Sequence, residues 1–316
     1  MHYAQTQTKR APGALGSKRA AWFLALMLLV PLGLSSMARA DTLDRIRTTG
    51  ALTLGYHDGE RPFSYKDEAG QPAGFSVVLC QKVADEIKTE LNLPSLTVKW
   101  EAVPIEDRYN ALQQGRIDLL CGGDTVSLSA RKDASFSLPI YPSGVGAIMR
   151  ANAPNGLREI LEGKPATGAI WRGSPARILN QRTIAVVKGS TAAKWVDERI
   201  HHFQLDVVTL PVEDYAAGVA ALTDARADVF FGDLAILVEA AANQLADGSV
   251  VELDRRFTTV AVALAMARDN DNLRLIVDRA LTKAYTSPEF RDLFTKYFGT
   301  PSAGILLFYE IASLPD

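Results

Sequence analysis

The chain has 316 residues, 47% hydrophobic and 22% charged, ordinary globular values that exclude a disordered chain, a collagen and a coiled coil. At a prior of about 150 residues per domain, the length corresponds to roughly two domains. The formal net charge of −2 hides an asymmetry: the first forty residues hold Lys9, Arg10, Lys18, Arg19 and Arg39 and no carboxylate, so the 34 Lys and Arg less those five leave 29 against 36 Asp and Glu, a net of −7. A body that acidic argues against nucleic acid or an anionic membrane as the partner.

Residues 1–19 are polar and basic, Ala20 to Leu34 is apolar, and Ser35-Ser36-Met37-Ala38-Arg39-Ala40 ends in an A-x-A pattern before Asp41. This is the order of a secretory signal peptide. Cleavage is expected after Ala40, leaving residues 41–316 as an exported protein. A membrane anchor is the alternative, but the apolar run is shorter than the ~20 residues that span a bilayer, and Pro31 interrupts it. No Cys follows the run, so a lipoprotein anchor is not indicated.

Strand and helix patterns then alternate. Ala51 to Tyr56 predicts a strand, Phe75 to Leu91 a helix, Leu96 to Val103 a strand, Glu106 to Gly115 a short helix and Ile117 to Cys121 a buried strand. Residues 151–182 are weakly patterned and rich in Gly, Pro and Arg, and read as a long, partly exposed insertion. A second series follows: Thr183 to Val187, Leu205 to Leu210 and Asp228 to Phe231 as strands, with helices over Ala192 to Ile200, Asp214 to Thr223 and Leu234 to Leu245. Beyond it come an extended stretch (Thr258 to Ala267), a helix (Asn270 to Thr286), a second helix started by Ser287-Pro288 and ended at Gly299, and an apolar tail, Ile305 to Ile311, expected to pack down. Such alternation implies α/β architecture with mostly parallel sheets. One pattern recurs: Ala111-Leu112 through Gly115-Arg116-Ile117-Asp118 is echoed by Ala221-Leu222 through Ala225-Arg226-Ala227-Asp228, each a helix turning tightly into a buried strand. The echo points to two lobes of similar build.

The exported part holds two cysteines, Cys80 and Cys121, in a compartment where disulfides persist. A bond between them would close a loop of about 40 residues and contribute roughly 3–4 kcal/mol; two buried thiols are the alternative. The four histidines, His2, His57, His201 and His202, form no His/Cys cluster with zinc spacing, so neither metal nor cofactor is expected.

Three features bear on chemistry. Gly189-Ser190-Thr191 ends a strand and opens a helix, where free N–H groups and hydroxyls favour an anion; an ordinary N-cap is the plainer reading. Thr125 and Arg131 lie past the strand ending at Cys121-Gly122-Gly123, and a guanidinium there grips a carboxylate with paired bonds or is simply a surface charge. Asp233 follows the apolar Val229-Phe230-Phe231, at the strand edge where open α/β sheets bind ligands, and also suits a helix N-cap. Together they complement a small zwitterion held between two lobes that close on a hinge.

At this point the chain resembles the periplasmic amino-acid-binding proteins that serve bacterial ABC importers, most of all the glutamate/aspartate-binding members. The resemblance runs over essentially the whole exported chain. It is carried by the order and spacing of Thr42-Leu43-Asp44-Arg45-Ile46, Arg61-Pro62-Phe63-Ser64-Tyr65, Asp107-Arg108, Gly115-Arg116-Ile117-Asp118, Arg131 with Phe136-Ser137, Gly189-Ser190-Thr191 and Ser287-Pro288-Glu289-Phe290. It implies the two-lobed periplasmic-binding-protein fold. Lobe one would run over 41–147, lobe two over 148–257, and 258–316 would return to lobe one. The two crossings would fall near Gly146 to Arg150 and Thr258 to Ala265. It further implies a monomer that carries an acidic or polar amino acid to an inner-membrane ABC permease, with no enzyme activity. By resemblance, Arg131, Ser190 and Thr191 bind the α-carboxylate, and Asp233 takes the α-ammonium with help near Asp124 and Thr125. His57 stands where the relatives have an arginine that reads the side chain. Arg108 matches a second pocket arginine, Tyr215 a lobe-two histidine, and Glu60 an aromatic that stacks on the ligand. The segment from Cys121 to Arg131 is one residue longer than in the glutamate/aspartate receptors. Two other readings share the fold. A dehydratase acting on a prephenate-like acid would need a proton donor such as Asp58, Glu60 or Glu213, and a sensor would pass its ligand to a receptor.

Overall fold

The structure is a computed structural model and describes residues 41–164 and 175–315. The leader, its cleavage site and the middle of the 151–182 stretch lie outside the described residues. Helix α1 (Thr42–Thr49) leads into β1 (Ala51–Tyr56); β2 (Gly59–Glu60), β3 (Ser64–Lys66) and β4 (Pro72–Ala73) form a small antiparallel sheet before α2 (Phe75–Glu90). Then come β5 (Thr97–Ala102), α3 (Arg108–Gln113), β6 (Leu119–Leu120) and β7 (Ser135–Ser143). The next block is β8 (Val145–Arg150), α4 (Asn155–Glu162), β9 (Thr183–Val187), α5 (Thr191–Phe203), β10 (Val208–Val212), α6 (Tyr215–Thr223), β11 (Val229–Asp233), α7 (Leu234–Ala240), α8 (Ala242–Ala246) and β12 (Val250–Glu252). The chain closes with β13 (Val260–Met266), α9 (Asp271–Tyr285), α10 (Phe290–Phe298) and α11 (Ala303–Ala312).

These strands make two five-stranded sheets, ordered β5-β1-β6-β13-β7 and β10-β9-β11-β8-β12. In the first, β1 is parallel to β5 and β6, and β13 runs antiparallel to β6 and β7. In the second, β9 is parallel to β10 and β11, and β8 runs antiparallel to β11 and β12. The chain thus passes between sheets at Gly144 and returns over 253–259, a few residues before both crossings expected from the sequence; β8 lies entirely in the second sheet.

The internal echo has a structural meaning. Asp118 and Asp228 each clamp the N-terminal half of a parallel strand: Thr53 N–H donates to the Asp118 carboxylate at 2.8 Å, and Thr183 N–H to that of Asp228 at 2.9 Å. Each aspartate returns its own N–H to the carbonyl of the same threonine, at 2.8 Å in both cases. Gly115 and Ala225, which end the preceding helices, both have positive φ, 69° and 59°. The glycine meets that requirement at no steric cost, whereas the alanine does not.

Packing follows the sequence periodicity. Leu79, Val83 and Ile87 of α2 are fully buried, and the Phe75 ring meets those of Phe290, Phe294 and Phe298, docking the C-terminal helices on the first sheet. Burying one such aromatic removes about 2–3 kcal/mol of unfavourable hydration. A disulfide joins Cys80 on α2 to Cys121 just after β6, with Cα atoms 6.1 Å apart. Among the described residues no helix is long and apolar enough to cross a membrane, and no group of three or more His, Cys, Asp or Glu is placed to hold a metal.

Five points differ from the sequence reading. β7 carries Pro139 and Pro142, which obscured it in the sequence; it is an edge strand, where a missing donor is tolerated. Helix α4 lies in the stretch read as an unpatterned insertion. The helix expected over Leu234 to Leu245 breaks at Ala241 into α7 and α8. Ser287 caps nothing: its hydroxyl donates back to the Ala284 carbonyl at 2.8 Å, and α10 begins at Phe290. The tail packs by one face only, burying Tyr309 and Ala312 while Leu306, Leu307 and Ile311 stay exposed.

Candidate functional site

The strand ends and helix starts of both sheets converge on one cleft, lined by Glu60, Ile105, Arg108, Gly123, Asp124, Thr125, Gly144, Val145, Ser190, Thr191, Ala192, Tyr215 and Asp233. Its volume is about 30 Å³, room for a single water. It adjoins a larger hollow of about 540 Å³ lined by His57, Asp58, Gly59, Ala102 to Glu106 and Glu213, Asp214; Glu60, Ile105 and Tyr215 face both spaces.

From the first sheet comes a buried charge cluster. His57 leaves the end of β1 and is 2% exposed. Its Nδ1–H donates to the Val103 carbonyl at 2.6 Å, and its Nε2 lies 3.6 Å from Asp124 and 3.9 Å from Glu60. Burial opposes a charge on this ring, but the Glu60 and Asp124 carboxylates and the Val103 carbonyl outweigh it and raise its pKa to about 9. The imidazole is therefore a cation. Glu60 accepts from Gly123 N–H at 3.0 Å, and burial pushes its pKa up against the pull of His57. Arg108, at the start of α3, is held from three sides. Its Nε pairs with Asp124 at 3.0 Å, one terminal nitrogen donates to the Ile105 carbonyl, and the other crosses to the Gly189 carbonyl of the second sheet at 3.2 Å. Gly122 makes this packing feasible, since a Cβ there would lie 2.5 Å from both His57 and Asp124.

The second sheet contributes a helix start and a carboxylate. Ser190 caps α5, its hydroxyl accepting from Ala193 N–H at 3.0 Å. The N–H groups of Thr191 and Ala192 lie in the first turn, where no intrahelical acceptor exists. Asp233 ends β11 and caps α7: one oxygen accepts from Ala235 N–H at 3.1 Å, while Oδ2 is buried without a well-formed hydrogen bond. Burial, with Glu60 nearby, raises its pKa to about 7. Tyr215, fully buried, accepts from Asp233 N–H at 3.2 Å, and burial holds its phenol well above the usual range.

Of the residues singled out in the sequence, Glu60, Arg108, Asp124, Thr125, Ser190, Thr191, Tyr215 and Asp233 thus line one cleft and His57 its neighbour. Arg131 does not: it is exposed, in a one-turn helix over Ala130–Lys132, and lines neither space. The physical reason is local. Ser127 accepts from Ala130 N–H at 3.1 Å and turns the longer segment so that Ala130 packs inward, with the next side chain outward. By resemblance Ile105 stands at the position of a pocket serine, and it forms an apolar wall of the cleft; the second apolar wall, Val145, was not foreseen, since it sits beside the crossing at Gly144, where an apolar residue carries no sequence signal distinct from a core strand.

Two sheets of mixed order, joined by two crossings and facing each other across a polar cleft, define a solute-binding architecture. Residues 52–300 match the bacterial extracellular solute-binding proteins, family 3, and the chain belongs to that family. The L-glutamate/L-aspartate-binding protein of Pseudomonas aeruginosa is 28% identical over 264 residues, 82% of this chain and 80% of that one. The L-cystine-binding protein TcyJ of Escherichia coli is 22% identical over 285 residues, 90% and 96% of the two chains. Among solved structures, an ancestral amino-acid-binding protein described as a precursor of cyclohexadienyl dehydratase superposes with a TM-score of 0.64 at 22% identity, covering 82% and 100%.

Proposed function

We propose that this protein is exported to the periplasm after cleavage at Ala40, binds an α-amino acid as a monomer in the cleft between its two sheets, and delivers it to an ABC permease of the inner membrane. The observation that carries this reading is Asp233, which lines the cleft and whose Oδ2 is buried without a well-formed hydrogen bond, the Ser143 hydroxyl being the side-chain donor beside the carboxyl. A buried carboxylate oxygen without a well-formed bond is costly, and an α-ammonium satisfies it. The α-carboxylate then rests on the N–H groups of Thr191 and Ala192 and the hydroxyl of Thr125, at the positive end of α5.

The cleft as it stands is too small for an amino acid, so entry requires the sheets to part, breaking the bond from Arg108 to the Gly189 carbonyl. The ligand then favours reclosure by its extra affinity for the form in which both sheets hold it. Arg108 with His57 was one sequence-based pairing for an acidic or amide side chain. In the structure His57 lies beside Asp124 and Glu60, and Arg108 pairs with Asp124 while each of its terminal nitrogens makes a single bond. Binding is favoured over dehydration because Asp58 and Glu213 are tied to Lys66 and Lys188 at the surface and Glu60 is held by Gly123.

Thermal unfolding of the purified protein against the twenty amino acids tests the reading. A ligand at 100 times its Kd stabilises by about 2.7 kcal/mol. No shift with any amino acid, together with product formation from a prephenate-like acid, would replace binding with catalysis.

A further inference from the structure

The charges around the cleft do not balance. The fully buried groups are three carboxylates, Glu60, Asp124 and Asp233, against two cations, His57 and Arg108. Arg108 is already engaged, with its Nε beside Asp124 and one bond from each terminal nitrogen to the Ile105 and Gly189 carbonyls, and it lines the cleft and not the hollow beyond it. The hollow that continues from the cleft past Glu60 and Tyr215 adds Asp58, Glu106, Glu213 and Asp214, with His57 its one cationic lining residue. Lys66 and Lys188 compensate Asp58 and Glu213 from the surface, and Lys188 also feels the charge of Glu106, but among the described residues Glu106 forms no direct ion pair, and Asp214 uses one oxygen to cap Ala217 at 2.7 Å and likewise pairs with no cation. A second carboxylate entering this hollow would face four acids and, as a cation, only His57, which already lies beside Glu60 and Asp124. A cation would find its complement.

Resting on the binding reading above, we infer that the ligand is an amino acid with a positively charged side chain, its ammonium or guanidinium group extending from the Asp233 end of the cleft into the hollow toward Glu106 and Asp214. The buried Asp233 Oδ2, without a well-formed hydrogen bond, fixes the ammonium end of the ligand. The shared walls Glu60, Ile105 and Tyr215 set the direction of its side chain. Like charge opposite like charge discriminates against glutamate and aspartate in such a hollow.

The test is isothermal titration of the purified protein with each of the twenty amino acids at pH 8. Arginine or lysine is expected to bind tightest, at least tenfold tighter than glutamine, with no saturable heat from glutamate or aspartate. A neutral or acidic amino acid as the tightest ligand would overturn this inference and leave the binding reading standing; no binding by any amino acid would overturn both. A second measurement locates the charge. Glu106→Gln, at an exposed position with no ion pair, should weaken the basic ligand about fivefold and leave glutamine unchanged, and Asp214→Asn, which keeps the helix cap, should do the same. Unchanged affinity for the basic ligand in both variants would refute the placement.

Discussion

Replacing Asp233 by Asn should make the unliganded protein more stable while destroying its ability to bind. The carboxyl has a pKa of about 7 against an ordinary 3.8 because it is buried. At 1.36 kcal/mol per unit, keeping it ionised at pH 8 costs the empty fold at most about 4 kcal/mol. The sign follows from the direction of the shift. A raised carboxyl stabilises the fold fully below its unfolded pKa, and that stabilisation is lost as pH climbs through about 7. Asn has the same shape, keeps the oxygen that caps Ala235, and carries no charge. We therefore expect Asp233→Asn to gain roughly 2 kcal/mol over the parent at pH 8, about half the ceiling, because the amide's NH₂ still lacks an acceptor. At ~2–4 °C per kcal/mol this is a rise in Tm of about 4–8 °C. At pH 5 the two proteins should coincide within about 1 kcal/mol. The assay is calorimetric unfolding without ligand at pH 5, 6, 7 and 8. A variant less stable than the parent at pH 8, or a difference that does not change with pH, would refute the reasoning. In the same experiment, adding the parent's ligand should leave the variant's Tm unmoved.

Other consequences can be checked separately. Ligand affinity should fall as pH drops below about 7, because Asp233 must give up a proton to receive an ammonium; titrations at pH 5.5 and 8 that agree would contradict this. Arg108→Ala strands buried Asp124 and should lower stability by about 3–5 kcal/mol, read as a shifted denaturant midpoint with an unchanged m-value. Arg131→Ala should change affinity less than twofold; a large loss would return this arginine to the site. Cys80→Ser removes a bond spanning 41 residues and should cost roughly 3–4 kcal/mol, measurable by urea unfolding beside the reduced parent.

Most of the scaffold could be read from periodicity. β1, β9 and α2 stand where their patterns place them to within a residue, because each buries one continuous apolar face. β7 was unreadable because edge position, not composition, excuses its prolines, and α4 because three apolar residues (Leu157, Ile160, Leu161) do not fill a face long enough to register. At the site, Asp233 and Ser190 were recoverable from their place at a strand end and a helix start. Arg131 lines neither space in the structure: its role was carried by resemblance across a segment read as one residue longer, and it is Ala130 that packs inward. That Arg108 is occupied by Asp124 could not be foreseen: the two are sixteen positions apart and meet only when α3 and the loop after β6 are folded together.

The first crossing between the sheets has a consequence of its own. A Cβ on Gly144 would sit 1.8 Å from the carbonyl oxygen of Thr258 on the second crossing, whose hydroxyl receives Val145 N–H at 2.9 Å. The two connectors are thus pressed together at the one residue that has no side chain, like the leaves of a flexure with no spacer. Any larger residue there acts as a shim between the connectors, and because Gly144 also lines the cleft, its side chain alters the wall of the site together with the resting opening of the jaws. Such a protein would lose affinity in proportion to the reduced share of closable molecules. Pivot and binding wall thus meet in a single glycine.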